Sequence, residues 1–212
     1  MDERMAKKTR ANKGKRPIVI GISGASGVIY GIRTIQVLHE LGYPVYAIVS
    51  SSAKKVCKIE NEFDINEEIV KYTSFIYSDK DLDASTSSSS FTVLTKGMII
   101  IPCSIKTMAL IASGVTSTLI SRTAINFLRT KGKLVLVIRE TPLGSIELKN
   151  ALTISRSGGI ILPASPGFYS KPKTIQDMID FIVGKALDMV GIDHRIYKRW
   201  SKSDQDLSSQ AS

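Results

Sequence analysis

The stretch KLVLVIRETPLGSIELKN, residues 133–150, places five consecutive apolar residues, Leu134 to Ile138, directly before Arg139 and Glu140. A short, β-branched run without polar alternation reads as a strand covered on both faces, as in a parallel sheet. Thr141 and Pro142 then break the chain, and a helical pattern begins at Ser145. In open α/β sheets the crevice beyond the carboxyl ends of the strands receives ligands. Arg139 and Glu140 are therefore either charges on a ligand edge or a solvated ion pair of small value.

The same unit recurs on either side. Upstream, PIVIGI (17–22) reads as a strand, SGASG as a turn, and VIYGIRTIQVLHELG as a helix ending at Gly42. YPVYAIV, ending before Ser50, is a second strand; SSAKKVCKIE and INEEIVKY are helices, and FIYS begins a weak strand. A serine run, Ser85 to Ser90 interrupted by Thr86, reads as a loop. GMIIIP (97–102) is another buried strand, with helical patterns in SIKTMALIAS and TLISRTAINFLRTKG. Downstream, SIELKNALTISRSG is a helix, GIILPA a last strand, SPGFYSKP a loop, and TIQDMIDFIVGKALDMVG a closing helix. Strands alternating with helices predict an α/β fold, a mostly parallel sheet with helices on both faces.

The 212 residues, 43% hydrophobic, suit one core. One domain is expected over residues 17–200, between a basic disordered tail (1–16) and a C-terminal tail (201–212). No stretch approaches the roughly 20 apolar residues of a membrane span, and the basic N-terminus lacks the apolar segment of a signal peptide. A soluble, cytoplasmic protein is expected. Cys57 and Cys103 form no CxxC pair, which argues against a disulfide framework or zinc site. The net charge is +10, and residues 1–16 hold seven cations against two acids. Such a tail suits nucleic acid, an acidic surface or simple solubility; the remaining charge suits a small anion.

Three turns carry candidate chemistry. In GISGASGVIYG, Gly21, Gly24 and Gly27 allow close backbone approach, and the helix N-terminus that follows favours phosphate. The P-loop Gly-Lys-Ser/Thr and the GxGxxG spacing are both missing, and the second strand ends in Ser50 rather than in an acid that would hold an adenosine ribose. A flavin mononucleotide fits better than a dinucleotide. IPCSIKT (101–107) repeats the geometry, with Ser104, Lys106 and Thr107 opening a helix. Cys103 reads as structural, because His39 and His194 are remote in sequence. Asp79, Asp81 and Asp83 are spaced like a calcium loop, but Ala84 and Ser90 stand where its glycine and glutamate belong, so they read as solvated turn acids. Tyr169 lies in a loop just past a strand; Arg122, Arg129 and Lys185 lie on helices, surface cations unless the fold makes them converge.

Taken in order, GISGASGVIYG, IVS, the glutamate of KIENEF, IPCSIKT, IRETPL, SIELKN and LPASPGFY resemble the UbiX-type flavin prenyltransferases from about Pro17 to Trp200. The resemblance implies a Rossmann-like three-layer flavoprotein fold and a homo-dodecamer with active sites at subunit junctions. It implies that reduced FMN is alkylated by dimethylallyl phosphate without a metal, giving prenylated FMN for UbiD-type decarboxylases. It further implies that Gly24, Ala25, Ser26, Ser50, Ser104, Ile105, Lys106, Thr107 and Arg139 hold FMN, and that Arg122, Arg129, Tyr169 and Lys185 hold the prenyl donor. Glu140, hydrogen-bonded or paired with Arg139, would be the base; Ser26 or Glu60 would relay protons; Tyr169 would favour allylic cation character. The family usually has lysine at position 129, arginine at 185 and glycine at 89, where this chain has Arg129, Lys185 and Ser89. Two alternatives stand beside this reading: an FMN-dependent decarboxylase of the same superfamily, which would need an active-site histidine, and a non-catalytic flavin-binding protein. Nucleic acid and membrane are not expected partners. The choice between monophosphate and diphosphate donor, and between quinone biosynthesis and aromatic-acid metabolism as the pathway served, stays open.

Overall fold

All six apolar runs form strands, and all six pair in parallel within one sheet. The computed structural model describes residues 14–200. The strands are β1 (Ile18–Ile22), β2 (Val45–Val49), β3 (Phe75–Ser78), β4 (Gly97–Cys103), β5 (Leu134–Ile138) and β6 (Ile160–Pro163), in the spatial order β3-β2-β1-β4-β5-β6. The chain winds outward from β1 to one side and then from β4 to the other, so the order reverses between β1 and β4. A crevice opens at such a switch point, beyond the carboxyl ends of the two strands.

The helices are α1 (Val28–Glu40), α2 (Ser51–Asn61), α3 (Ile65–Ile69), α4 (Ser89–Thr92), α5 (Ile105–Ala112), α6 (Leu119–Arg129), α7 (Ser145–Arg156) and α8 (Ile175–Val190). Strand residues alternate between two cores because successive side chains leave opposite faces. Ile18, Ile20, Val135 and Val137 pack with Ile35 of α1 and Val183 of α8. Val19, Leu134, Leu136 and Ile138 pack with Met108 of α5 and Phe127 of α6. The result is the three-layer, Rossmann-like α/β arrangement. Each of the five β5 side chains is buried, a contribution of about 1.5–3 kcal/mol apiece, and that fixes the depth at which Arg139 emerges.

Two expectations change. The serine run is not a loop: Ser85–Ser87 form a 3₁₀ turn and Ser89 opens α4. Hydrogen bonds to α6 hold it, from Thr123 Oγ1 to the Thr86 carbonyl (3.0 Å) and from Asn126 Nδ2 to the Ser87 carbonyl (2.8 Å). Ser89 does not adopt a left-handed backbone, so the position does not require glycine. Lys15 and Arg16, counted above with the tail, are anchored. Lys15 Nζ donates to the Leu41 carbonyl and lies over the Tyr43 ring; Arg16 donates to the Val93 and Leu94 carbonyls. The rest of the basic tail, residues 1–13, and the C-terminal tail, residues 201–212, lie outside the described residues. Among the described residues no helix is long and apolar enough to cross a membrane.

Candidate active site

The turn between β1 and α1 is held by its own Ser23 and by side chains from α2 and from the end of β5. Ser23, 1% exposed, donates from Oγ to the Pro102 carbonyl (3.0 Å) and accepts the Ser104 N–H (2.7 Å), fastening the end of β1 to the end of β4. Gly24 lies against α2, where a methyl group on its Cα would collide with Ser52 Cβ. Glu60, at the far end of α2, accepts the Gly27 N–H at 2.9 Å, a carboxylate at the positive end of α1. Arg139, one residue past β5, reaches across the switch point and donates from Nε to the Ser26 carbonyl at 3.3 Å. Its own N–H bonds the Cys103 carbonyl at 3.3 Å.

The two helix starts beside this turn are capped by serine hydroxyls. Ser50 Oγ accepts the Ala53 N–H (3.0 Å), and Ser104 Oγ accepts the Thr107 N–H (3.3 Å) and lies 3.1 Å from Thr107 Oγ1. Lys106 is exposed on the first turn of α5. Gly24, Ala25, Ser26, Ser50, Glu60, Ser104 to Thr107 and Arg139 thus share one edge of the sheet. These residues fit a flavin mononucleotide: a turn close enough to α2 to exclude a Cβ, backbone donors at two helix N-termini, and a guanidinium at the rim. Tyr30 completes the wall; burial pushes its phenol up, and the Arg139 charge pulls it partly back.

Arg139 and Glu140 do not pair. Successive side chains at the end of an extended strand diverge, so Arg139 turns to Ser26 while Glu140 Oε1 accepts the Thr141 N–H at 3.0 Å. Glu140 lies in a cleft beyond β5 and β6, walled by Met108, Ile138, Leu143 and Ala164.

The remaining candidates fall into two further groups. Tyr169 packs edge-on against Phe181 (5.8 Å) and Trp200 (5.3 Å), and the Lys185 ammonium lies over Phe181 at 5.6 Å, so Tyr169 and Lys185 share one aromatic neighbour. Arg122 and Arg129, two turns apart on one face of α6, border a separate polar cleft of about 400 Å³ with Ser87, Ser88 and Asn126. Arg122 Nε donates to the Ser87 carbonyl (3.4 Å), and Arg129 bonds Asn126. Within one chain these arginines do not join Arg139 and Lys106.

Asp79 is not a solvated acid. Its Oδ1 accepts the Ile120 N–H at 2.8 Å and its carbonyl takes the Leu119 N–H, so it anchors the start of α6. Burial pushes its carboxyl up against the opposing pull of the Ile120 and Thr118 bonds. Asp81 accepts the Ser78 N–H. Cys103 is fully buried, and burial pushes its thiol up, which suits a structural residue. His194 is buried too, with Nε2 between the Gly184 carbonyl (2.9 Å) and Asp188 Oδ1 (3.1 Å), and it is not placed to serve a decarboxylase site at the switch point.

Ser23, Tyr30 and Ser52 were not singled out from the sequence. The turn offers two serines, Ser23 and Ser26, one and four residues past an apolar strand end, and only the fold shows that the first is structural. Ser23→Ala would leave the buried Ser104 N–H without its acceptor. The expected loss is about 1–3 kcal/mol, read as a lower denaturation midpoint with unchanged slope in urea. A midpoint equal to that of the wild type would remove Ser23 from this role.

A sheet of this order, with its switch-point edge lined by glycine, hydroxyls and Arg139, defines a nucleotide-binding flavoprotein, and the Flavoprotein family model matches residues 6–187. The chain belongs to the UbiX-type flavin prenyltransferases. It is 62% identical over 193 residues to the flavin prenyltransferase UbiX of Saccharolobus solfataricus, covering 91% of this chain and 96% of that one. The fold superposes with TM-score 0.84 and 38% identity on a UbiX crystal structure in complex with FMN and dimethylallyl pyrophosphate, covering 88% of this chain and 98% of that one. It also matches a dodecameric FMN-dependent UbiX-like decarboxylase from Escherichia coli O157:H7, with TM-score 0.82 and 35% identity over 87% of this chain and 99% of that one.

Proposed function

We propose that the protein joins the dimethylallyl group of dimethylallyl phosphate to reduced FMN without a metal, and that the prenylated flavin serves a UbiD-type decarboxylase in the cytoplasm. The observation that carries this reading is the bond from Arg139 to the Ser26 carbonyl. It ties the charged end of β5, with Glu140 beside it, to the glycine-rich turn suited to a flavin. Reduced FMN supplies the ring nitrogen and ring carbon that take the two ends of the prenyl group. Gly24, Ala25 and Ser26, with Ser50, Ser104, Ile105, Lys106, Thr107 and Arg139, orient the flavin. Glu140 accepts the proton released on ring closure, and Ser26 and Glu60 hold protons nearby. Tyr169 presents a ring face to developing allylic charge. Lys185, Arg122 and Arg129 offset the charge of the departing phosphate.

These groups converge only if copies of the chain assemble. Two observations favour assembly into a homo-dodecamer like the Escherichia coli relative's. Arg122 and Arg129 border a cleft of their own. In addition, α7 and the turn before it expose Leu143, Ile146, Leu148 and Leu152, a cluster of apolar surface of the kind that marks an interface.

Anaerobic incubation of the protein with reduced FMN and dimethylallyl phosphate, without added metal, tests the reaction. Mass spectrometry of the extracted flavin should show a gain of one five-carbon prenyl unit. Unmodified flavin with the monophosphate but product with the diphosphate would reassign the donor; unmodified flavin with both would overturn the proposal.

A further inference from the structure

The family resemblance leads one to expect arginine at position 185, and this chain places lysine there. A lysine ammonium is a point charge on a flexible four-carbon stem, without the rigid fork that holds a guanidinium in one plane. A lysine that must meet a phosphate therefore needs outside constraint. The surroundings of Lys185 supply it. Its ammonium lies over the Phe181 ring at 5.6 Å and over the Tyr197 ring at 5.5 Å. Phe181 is one turn back on α8, and Tyr197 comes from the segment after α8, which doubles back along the helix.

Tyr197 is fixed in three ways. Gly184 has no side chain, and a methyl group on it would collide with the Tyr197 ring and lie 2.8 Å from His194 Cε1, so the returning segment lies directly on the helix. The Tyr197 hydroxyl donates to Asp188 Oδ2 at 2.7 Å. Arg199 grips the same carboxylate with both terminal nitrogens, Nη2 to Oδ1 at 2.6 Å and Nη1 to Oδ2 at 3.0 Å, and its guanidinium lies 5.2 Å from the Tyr197 ring centroid. His194 closes the cluster: its Nδ1 accepts the Ile196 N–H (3.4 Å), which leaves Nε2 to donate toward Gly184 and Asp188.

Charge in the cluster suits that task. Burial pushes the Asp188 carboxyl up, but its bonds from Arg199 and Tyr197 and the Arg199 charge more than offset this and hold it below the usual range. Burial, and then the Asp188 bond, push the Tyr197 phenol up to about 12. At neutral pH the carboxylate is charged and the phenol is not, so Tyr197 offers the cation a ring face rather than an anion to pair with.

We infer that Asp188 and Tyr197 are positioning residues: Asp188 locks Tyr197, and the Tyr197 and Phe181 rings hold the Lys185 ammonium where the phosphate of the prenyl donor binds. This inference rests on the prenyl-transfer reading of Lys185 and assigns that residue's orientation to a cluster outside the switch-point site.

The test is a double-mutant cycle on the full-length protein, read as KM for dimethylallyl phosphate, kcat, and FMN affinity by fluorescence quenching. Tyr197→Leu should raise KM for the donor about tenfold, with kcat and FMN affinity within about twofold of wild type. Tyr197→Phe keeps the ring but loses its anchor, and Asp188→Asn weakens that anchor; each should raise KM about threefold. In a Lys185→Met background the Tyr197→Phe and Tyr197→Leu changes should add nothing, because the group they orient is gone. Equal KM effects in both backgrounds, or a matching loss of FMN affinity, would show a purely structural role and overturn the inference alone. If Tyr197→Leu fails to fold, the Tyr197→Phe pair still decides the cycle. A wild-type protein that forms no prenylated flavin with either donor overturns the functional reading and this inference together.

Discussion

Glu140→Gln is expected to lower kcat for prenylated-flavin formation by about 10²- to 10⁴-fold, the range a positioned general base contributes, while FMN affinity stays within about twofold. The asymmetry follows from the placement of the side chain. Arg139, not Glu140, is the residue bonded to the flavin-side turn, through the Ser26 carbonyl. Glu140 takes one backbone N–H, from Thr141 at 3.0 Å, and forms no ion pair with Arg139. Glutamine keeps the shape and the Thr141 bond but cannot act as a base. Because Glu140 is exposed, the substitution should change stability by no more than about 0.5 kcal/mol. Glu140→Asp should recover part of the rate, limited by the shorter reach. Single-turnover formation of product, followed anaerobically by absorbance, reads the step directly. A glutamine variant within tenfold of wild type would exclude Glu140 as the base, and Glu60 would be examined next.

The same strand end shows what the sequence could and could not convey. Leu134 to Ile138 had no polar alternation, and the structure buries all five, so a strand covered on both faces was legible from pattern alone. The helices after Ser50, Ser104 and Thr174 were legible as patterns too, and the structure adds that a hydroxyl caps each start. Directions at the ends of elements were not. Adjacent Arg139 and Glu140 invite pairing on the page, yet extended backbone sends them apart. Asp79 looked like one of three solvated acids because its partner, the Ile120 N–H, lies 41 residues away in sequence. The serine run had no apolar periodicity, and its short helical turns exist because α6 offers Thr123 and Asn126 to its carbonyls. In each of these cases the deciding contact is long-range, and residue type alone did not reveal it.

Arg129→Met is expected to lower prenyl transfer about 10²- to 10³-fold, the effect of removing one donor from a site where charge develops. Arg129→Lys should lose less than about tenfold, since it keeps the charge and gives up only the fork. The prediction becomes sharper when two defective variants are combined. In one chain Arg129 borders the cleft beside Ser87 and Ser88, whereas Glu140 lies beyond β5 with Met108 and Leu143. If both serve one reaction, they come from different copies. Arg129→Met and Glu140→Gln proteins, each nearly inactive, should then regain activity after being dissociated and reassembled together. Random mixing leaves both side chains intact in about a quarter of the sites of a symmetric assembly, so recovery should approach a quarter of the wild-type rate. Were one chain to supply both residues, every site in the mixture would carry one defect and no activity would return. Recovery would therefore establish the shared site and the need for assembly at once. If the mixture stayed inactive while each variant still bound FMN and assembled, Arg129 and Glu140 could not act together across a subunit junction.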